Sequence, residues 1–348
     1  MIHLSELPLE ILVEITEFLS DRNILNLSIC SKHFRDLLLA VKFTGQASIE
    51  HINNLPFFDS FTNVRYHFFT FRKIIFPKNL QILDWANQQI LTQIPNSLVK
   101  LKIKGEYDQS LLQLPESLKI LELSYGYNQS LPQLPDSLEV LDLGLNYNQP
   151  LPQLPNSLKV LKLGFDYNQP LPQLPDSLRV LKISSRYNQP LPQLPDSLRV
   201  LKLGFRYNQS LPQLPSSLKV LKLGFDYNQP LPQLPDSLRS LKLGKHNDQP
   251  LSLPDSIMNL NLENYNAKIL RLPVSLKRLK IGCDHDQMLP VLPDSLTEII
   301  IGAEISIFNF RSPKQMALSK RQFFSEIPPN VIIKFYNGEY LEILEFDL

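Results

Sequence analysis

Hydrophobic positions along this chain fall into two regimes that change over near residue 40. From Leu7 to Leu39 they recur at helical spacing: Ile11, Leu12, Ile15, Phe18 and Leu19, then Ile24, Leu27, Ile29 and Cys30, then Phe34, Leu37 and Leu38. Apolar residues three and four apart mark amphipathic helices, so the pattern predicts three short ones. Leu7-Pro8 opens the first, with proline near the first helical position and Glu10 in the first turn, where the helix dipole favours a carboxylate. Ser20-Asp21 breaks and recaps the chain ahead of the second helix, and Ser31 caps the third.

After Ile94 the pattern becomes a repeat. A Leu-Pro-x-Ser-Leu unit, an x-x-Leu-x-Leu strand and an aromatic-Asn-Gln turn recur eleven times, starting at Ile94, Leu114, Leu134, Leu154, Leu174, Leu194, Leu214, Leu234, Leu253, Leu272 and Leu292. The period is twenty residues, shortened to nineteen twice. Periods of this length belong to stacked solenoids.

One copy explains why stacking is required. From Leu154 to Gln173 the apolar surface is mostly Leu154, Leu158, Leu161, Leu163 and Leu171, each worth about 1.5–3 kcal/mol when buried. Ordering one copy costs about 30 kcal/mol, so an isolated copy is unfolded. Stacked copies share one leucine core and gain ladder hydrogen bonds on both strand edges. Alternation places Leu161 and Leu163 on one face of the strand, with Val160 and Lys162 on the other. Pro152 and Pro155 exclude a helix from the returning limb, which is predicted to be extended. Asn156-Ser157 and Tyr167-Asn168-Gln169 are expected to close the turns at either end of the strand with side-chain-to-backbone bonds.

The Leu-Pro-x-Ser-Leu-x-x-Leu-x-Leu-Gly-x-x-Tyr-Asn-Gln-Pro-Leu string resembles the FNIP repeat, a leucine-rich-repeat relative of social amoebae and of the giant DNA viruses that infect amoebae. Tyrosine stands for the usual phenylalanine, as in Tyr147-Asn148 and Tyr207-Asn208. Bacterial effector repeats also carry doubled Leu-Pro units. Their turn asparagine falls three residues after the last strand leucine, whereas Asn168 lies five after Leu163. The amino-terminal string, Leu7-Pro8-x-Glu10-Ile11-Leu12-x-x-Ile15-x-x-Phe18-Leu19 followed by Ile24-x-x-Leu27-x-x-Cys30-x-x-Phe34-x-x-Leu37, resembles the F-box. Periodicity alone equally allows a plain helical cap on the first coil. The acidic residue usual before the second helix is Asn23 or Asp21 here, a minor departure.

These resemblances imply an α+β fold: a small three-helix F-box fused to a parallel-β, leucine-rich-repeat-like solenoid with extended outer limbs. The expected boundaries are 1–40 for the F-box, 41–93 for connecting and capping coils, 94–302 for the repeats and 303–348 for a closing cap. Phe61-x-x-Val64-x-Tyr66 and Leu80-x-x-Leu83-x-Trp85 keep the strand spacing and read as degenerate first coils, which would fuse the helices rigidly to the solenoid. Ser312 to Glu326 reads as a helix or an excursion, and Ile327 to Ile333 as one further repeat. The F-box resemblance also implies a partner, the Skp-type adaptor of a cullin–RING ubiquitin ligase. By motif position the adaptor contacts are Leu7, Pro8, Ile11, Leu12 and Ile15, some of which must instead hold the helices together.

A second partner is suggested by charge. Lys162, Lys182, Lys202, Lys222 and Lys242 occupy equivalent outward strand positions, and Lys159, Arg179, Arg199, Lys219 and Arg239 form a second row three residues earlier. With strands about 4.8 Å apart, ten cations are expected to crowd one sheet face. Val160, Val180, Val200 and Val220 interleave with them, and Phe165, Phe205 and Phe225 sit near the strand exits. Such a face suits an acidic segment of a target protein. It equally suits a solvated, self-repelling surface copied by duplication. Glu122 and Asp142 interrupt the row at one end, Asn261 and Ile300 at the other.

Composition narrows the rest. A formal net charge of +1 predicts no bulk attraction to nucleic acid or membrane. No apolar run reaches eighteen residues, and Glu6 and Glu10 stand where a signal peptide would be basic. Two cysteines, Cys30 and Cys283, make no disulfide framework, which points to a reducing cytoplasmic or nuclear setting. No cofactor or metal is expected: the six histidines lack ligand spacing, and Cys283-Asp284-His285-Asp286 sits in a variable turn. The leading expectation is a non-catalytic substrate receptor of an F-box-type ligase. The rivals are an interaction scaffold that recruits no adaptor, and a catalytic ligase of the bacterial repeat-effector kind, for which neither length nor cysteines suffice.

Overall fold

The computed structural model describes residues 7–16, 18–30, 37–66, 75–244, 247, 249–262, 265, 267–282, 288–302, 330–336 and 341–343. The chain forms two compact units, Met1–Tyr147 and Asn148–Leu348.

The first unit opens with helices α1 (Leu9–Thr16) and α2 (Asp21–Cys30). Leu12 and Ile24 turn into the core, as do Leu37 and Leu38 from the helical residues 37–40. The remainder of the expected third helix, with its Ser31 cap, lies outside the described residues. Ser20 caps α2, its carbonyl accepting the Asn23 and Ile24 amides at 2.8 and 3.0 Å. Asp21 reaches away from the helix, and its carboxylate accepts the Gly45 amide at 2.7 Å. Ser60 donates to the Leu38 carbonyl at 2.7 Å, and Phe43 pairs with Phe61 through a parallel bridge and stacked rings 4.8 Å apart. Together these bonds join the helical residues to the first coil, as a rigid fusion requires.

Six strands follow in this unit: β1 (Ala47–Ser48), β2 (Asn63–Tyr66), β3 (Ile82–Trp85), β4 (Lys100–Ile103), β5 (Ile120–Glu122) and β6 (Val140–Asp142). Each pairs with the next in parallel. β2 and β3 are the degenerate coils, and Tyr66 and Trp85, both fully buried with centroids 4.9 Å apart, fill the volume that leucines fill elsewhere.

The second unit contains β7 (Val160–Lys162), β8 (Val180–Lys182), β9 (Val200–Lys202), β10 (Val220–Lys222) and β11 (Ser240–Lys242). It continues with β12 (Asn259–Asn261), β13 (Arg278–Ile281), β14 (Glu298–Ile301), β15 (Ile332–Tyr336) and β16 (Leu341–Ile343). Pairing is parallel in chain order from β7 to β15. β16 then returns antiparallel to β15 and occupies the edge that β15 would otherwise expose, as a closing cap should. The further repeat is present as β15. The segment Ser312 to Glu326 lies outside the described residues.

Strand centres fall on Leu101, Leu121, Leu141, Leu161, Leu181, Leu201, Leu221, Leu241, Leu260, Leu279 and Ile299, and the described return limbs contain no helix. Leu158 and Leu161 are wholly buried. The aromatic of the turn motif is core as well: Tyr167, Tyr187, Tyr207 and Tyr227 are buried and stacked with centroids 6.1–6.2 Å apart.

The Tyr167 hydroxyl closes its own turn as expected, donating to the Pro170 carbonyl at 3.5 Å, whereas the serines and asparagines bond to the neighbouring coil. Ser177 donates to the Leu158 carbonyl of the preceding coil at 2.7 Å, and Ser197, Ser217 and Ser237 repeat the bond on Leu178, Leu198 and Leu218. Asn168 accepts the Asn188 amide at 2.9 Å, one step of a ladder from Asn148 to Asn228. The cause is register: the equivalent backbone of the neighbouring coil is nearer than any free group in the same turn. Close approach also explains Gly204, where a Cβ would meet the Ser184 carbonyl oxygen at 1.4 Å. Ser184 itself occupies a glycine position and compensates by donating to the Tyr167 carbonyl at 2.7 Å.

Candidate functional sites on the helices and the outer sheet face

Among the expected adaptor contacts, the structure separates core from surface. Leu12 is only 2% exposed and packs inward, so it holds the helices together and offers little to a docking partner. Pro8 and Ile11 are exposed, while Leu7 and Ile15 are half-buried. Phe18, 88% exposed just after α1, adds apolar surface and was not among the expected adaptor contacts. Its position beyond the last residue of α1 is the signal in the sequence, since Ser20 ends the helical pattern two residues later.

The two basic rows are distinct. Lys162, Lys182, Lys202, Lys222 and Lys242 lie on the strands in direct register, half-buried, with Val160, Val180, Val200 and Val220 beside them on the same face. Lys159, Arg179, Arg199, Lys219 and Arg239 lie one residue ahead of the strands. There the Arg179 and Val180 amides both bond to the Lys159 carbonyl, at 2.8 and 3.0 Å, and the same doubling recurs in the following coils. The two rows therefore run side by side, five cations on the strands and five at the strand entrance, where the doubled bond interrupts strict alternation. Arg239 in the entrance row donates to the Asp236 and Ser256 carbonyls.

Within the second unit the middle of the strand row is unlike its carboxy-terminal flank, and the equivalent strand positions of the first unit carry a row of their own. In the first unit Arg65, Asp84, Lys102, Glu122 and Asp142 stand in register. Asp84 pairs with Lys104 at 2.5 Å, and Glu122 with Lys100 and Lys102 at 2.6 and 3.0 Å. Burial alone would raise the Glu122 carboxyl, but bonds from the two lysines outweigh it and hold the group below the usual range. At the far flank Glu298, 9% exposed, lies between Arg278 and Lys334 and is lowered for the same reason. Among the described residues, Lys182, Lys202 and Lys222 have no ion-pair partner. The Lys202 ammonium is pushed below its ordinary pKa by partial burial and then by Lys222 and Lys182 on either side. The acidic residues of these middle coils stand on turns instead: Asp176, Asp196 and Asp236 are exposed, and Asp166 pairs with Arg186 at 2.8 Å.

Apolar surface borders the row. Phe205 and Phe225 stack at 4.5 Å near the strand exits, and the Arg186 guanidinium covers the Phe165 ring at 5.4 Å. No group of three or more metal-ligating side chains occurs among the described residues, and Cys283 to Asp286 lie outside them. No helix among the described residues is long and apolar enough to cross a membrane.

Comparison with known families gives two matches. An F-box domain model matches residues 4–44, and an FNIP repeat model matches eight times, from 107–146 to 264–304, covering more than half of the chain. Among solved structures, CroV588 of the giant virus CroV, described as a novel circular leucine-rich-repeat protein, is 32% identical with a TM-score of 0.60, over 75% of this chain and 45% of its own. YopM from Yersinia enterocolitica is 24% identical with a TM-score of 0.60, over 85% of this chain and 66% of its own, a likeness of fold alone. This chain thus spans less than half of the first protein and just under two thirds of the second. A comparison with curated proteins returns no significant match.

Proposed function

This chain belongs to the FNIP repeat family and carries an F-box domain, and from that premise we propose that it is the substrate-recognition subunit of an F-box-type cullin–RING ubiquitin ligase. The amino-terminal helices dock a Skp-type adaptor, and the repeats select the target. The observation that carries the reading is the juxtaposition of an F-box with a solenoid to which it is bonded, through Asp21 to Gly45 and Ser60 to Leu38. A receptor has to hold its target at a fixed distance from the transfer enzyme, and a rigid joint suits that task.

In this reading the chain performs no chemistry itself. Adaptor binding draws on the exposed apolar surface of Pro8, Ile11 and Phe18, with Leu7 and Ile15 at its edge, because buried apolar anchors dominate the energy of protein interfaces. The proteins it meets are intracellular, in the cytoplasm or nucleus of the cell where it acts.

The test is adaptor co-purification with full-length Ile11→Asp, checked for folding by circular dichroism. Loss of adaptor and of target ubiquitination with an intact solenoid supports the receptor. Undiminished target binding from a wild-type chain that never captures adaptor or cullin would instead establish a scaffold.

A further inference from the structure

The unpaired middle of the strand row calls for a partner of opposite charge. We infer that Lys182, Lys202 and Lys222, with Val180, Val200 and Val220 beside them, form the docking face for an acidic amphipathic helix of the target protein. This inference rests on the receptor reading and specifies the chemistry of what the repeats select.

Charge complementarity is the first argument. In the first unit, and at the carboxy-terminal end of the second, a carboxylate stands on a strand next to cations, as Glu122 does for Lys100 and Lys102 and Glu298 for Arg278 and Lys334. The same solution was open to the middle coils, whose acids occupy turns instead. Three aligned ammonium groups raise the local potential and cost the fold some repulsion. A carboxylate stripe on a partner removes that repulsion on docking.

Spacing is the second argument. Paired strands put successive lysines about 4.8 Å apart. A helix rises about 1.5 Å per residue, so carboxylates three or four apart recur every ~4.5–6 Å along one face. Alternate side chains of an extended segment recur at about 6.8 Å and fall out of step within three coils. The valines lie two positions earlier on the same strand face, parallel to the lysines. They offer a shallow apolar track for the neighbouring stripe of the same helix, the usual division of labour when a helix lies on a surface.

A nucleic-acid strand fits less well. The chain is nearly neutral overall, at +1, and Asp166, Asp176, Asp196 and Asp236 flank the row. The cations are lysines without a stacking platform between them, whereas single-stranded nucleic acids are held by bases stacked on aromatics.

The test uses the full chain and three labelled probes. The first is a synthetic helical peptide with glutamates at i, i+4 and i+7 and leucines on the adjacent stripe. The second has the same composition in scrambled order, and the third is a single-stranded oligonucleotide of equal charge. The expected result is that the first binds more than about tenfold tighter than the others, and that Lys202→Glu removes this binding without lowering the melting temperature. Equal binding of the scrambled peptide or the oligonucleotide, no binding of the helical peptide, or unchanged binding by Lys202→Glu would each overturn the inference. Adaptor co-purification with the wild-type chain separates the two readings: captured adaptor with no binding of the helical peptide sinks only this inference, whereas peptide binding by a chain that never takes adaptor sinks only the receptor.

Discussion

Lys202 and Lys222 face each other as directly paired positions on adjacent parallel strands, and among the described residues neither has a carboxylate partner. Like charges opposite one another destabilise a sheet by roughly 0.2–1 kcal/mol, so Lys202→Met should raise the melting temperature by a degree or two. Differential scanning calorimetry at low and high salt checks this. The gain should shrink in high salt, because exposed charges are then screened.

The tyrosine stack makes the protein alkali-sensitive. Burial pushes the Tyr147, Tyr187 and Tyr227 hydroxyls up to about 12, although backbone hydrogen bonds pull slightly the other way. The ordinary tyrosine value is 10.0, so between 10 and about 12 the unfolded chain has lost protons that the folded chain still holds. The stack's contribution is therefore complete below pH 10 and declines as pH rises through that window. Tyrosinate absorbance should appear together with loss of circular dichroism in one transition. Early tyrosinate in an intact fold would contradict this burial.

Removing one ring from the stack should be costly. Tyr187→Ala leaves a cavity between Tyr167 and Tyr207 and should lose about 3–5 kcal/mol, the cost seen for large aromatic deletions. Tyr187→Phe loses a long bond to the Pro190 carbonyl, at 3.3 Å, and the bond between its hydroxyl and the Leu171 backbone, and should cost about 1–2 kcal/mol, less than the ring deletion. Urea denaturation of the two variants separates ring packing from the hydroxyl.

At the acid end the controlling groups are Glu122 and Glu298. Both carboxyls are held below the ordinary 4.5 by their cation partners despite burial that acts the other way. Their contribution is therefore present above that value and lost as pH falls below it. Glu298→Gln should lower stability at neutral pH by about 1–3 kcal/mol, since Arg278 and Lys334 lose their shared counter-charge. The same variant should show a flatter acid limb, measured by chemical denaturation across the acid range.

The joint between helices and solenoid gives a fifth expectation. Asp21→Ala removes the acceptor of the Gly45 amide and should cost about 1 kcal/mol. Its sharper effect should be local, with faster hydrogen exchange at Gly45 while the amides of β8 and β9 keep wild-type protection. Unchanged exchange at Gly45 would mean that the joint is carried by Ser60 and Phe43 alone.

Much of this protein is set by local chemistry and so was readable along the chain. A repeat of Leu-x-x-Leu-x-Leu with prolines in the returning limb allows one strand per coil and no helix, whatever the rest of the chain does. Strand centres from Leu101 to Ile299 followed from that alone, as did the helices around Ile11 and Ile24. The charge rows could be read too, because identical coils stack in register. Tertiary structure decided what depends on the distance between coils. It turned Ser177 and Asn168 from local turn closers into bonds between neighbours, and turned the tyrosines into core, because a stacked coil offers nearer partners than its own turn. It placed Leu12 inside and Phe18 outside, a choice that helical spacing cannot make when both fit one stripe. It also left Lys182, Lys202 and Lys222 without an ion-pair partner among the described residues. Pairing depends on which strand a carboxylate reaches, and that is a matter of register rather than composition.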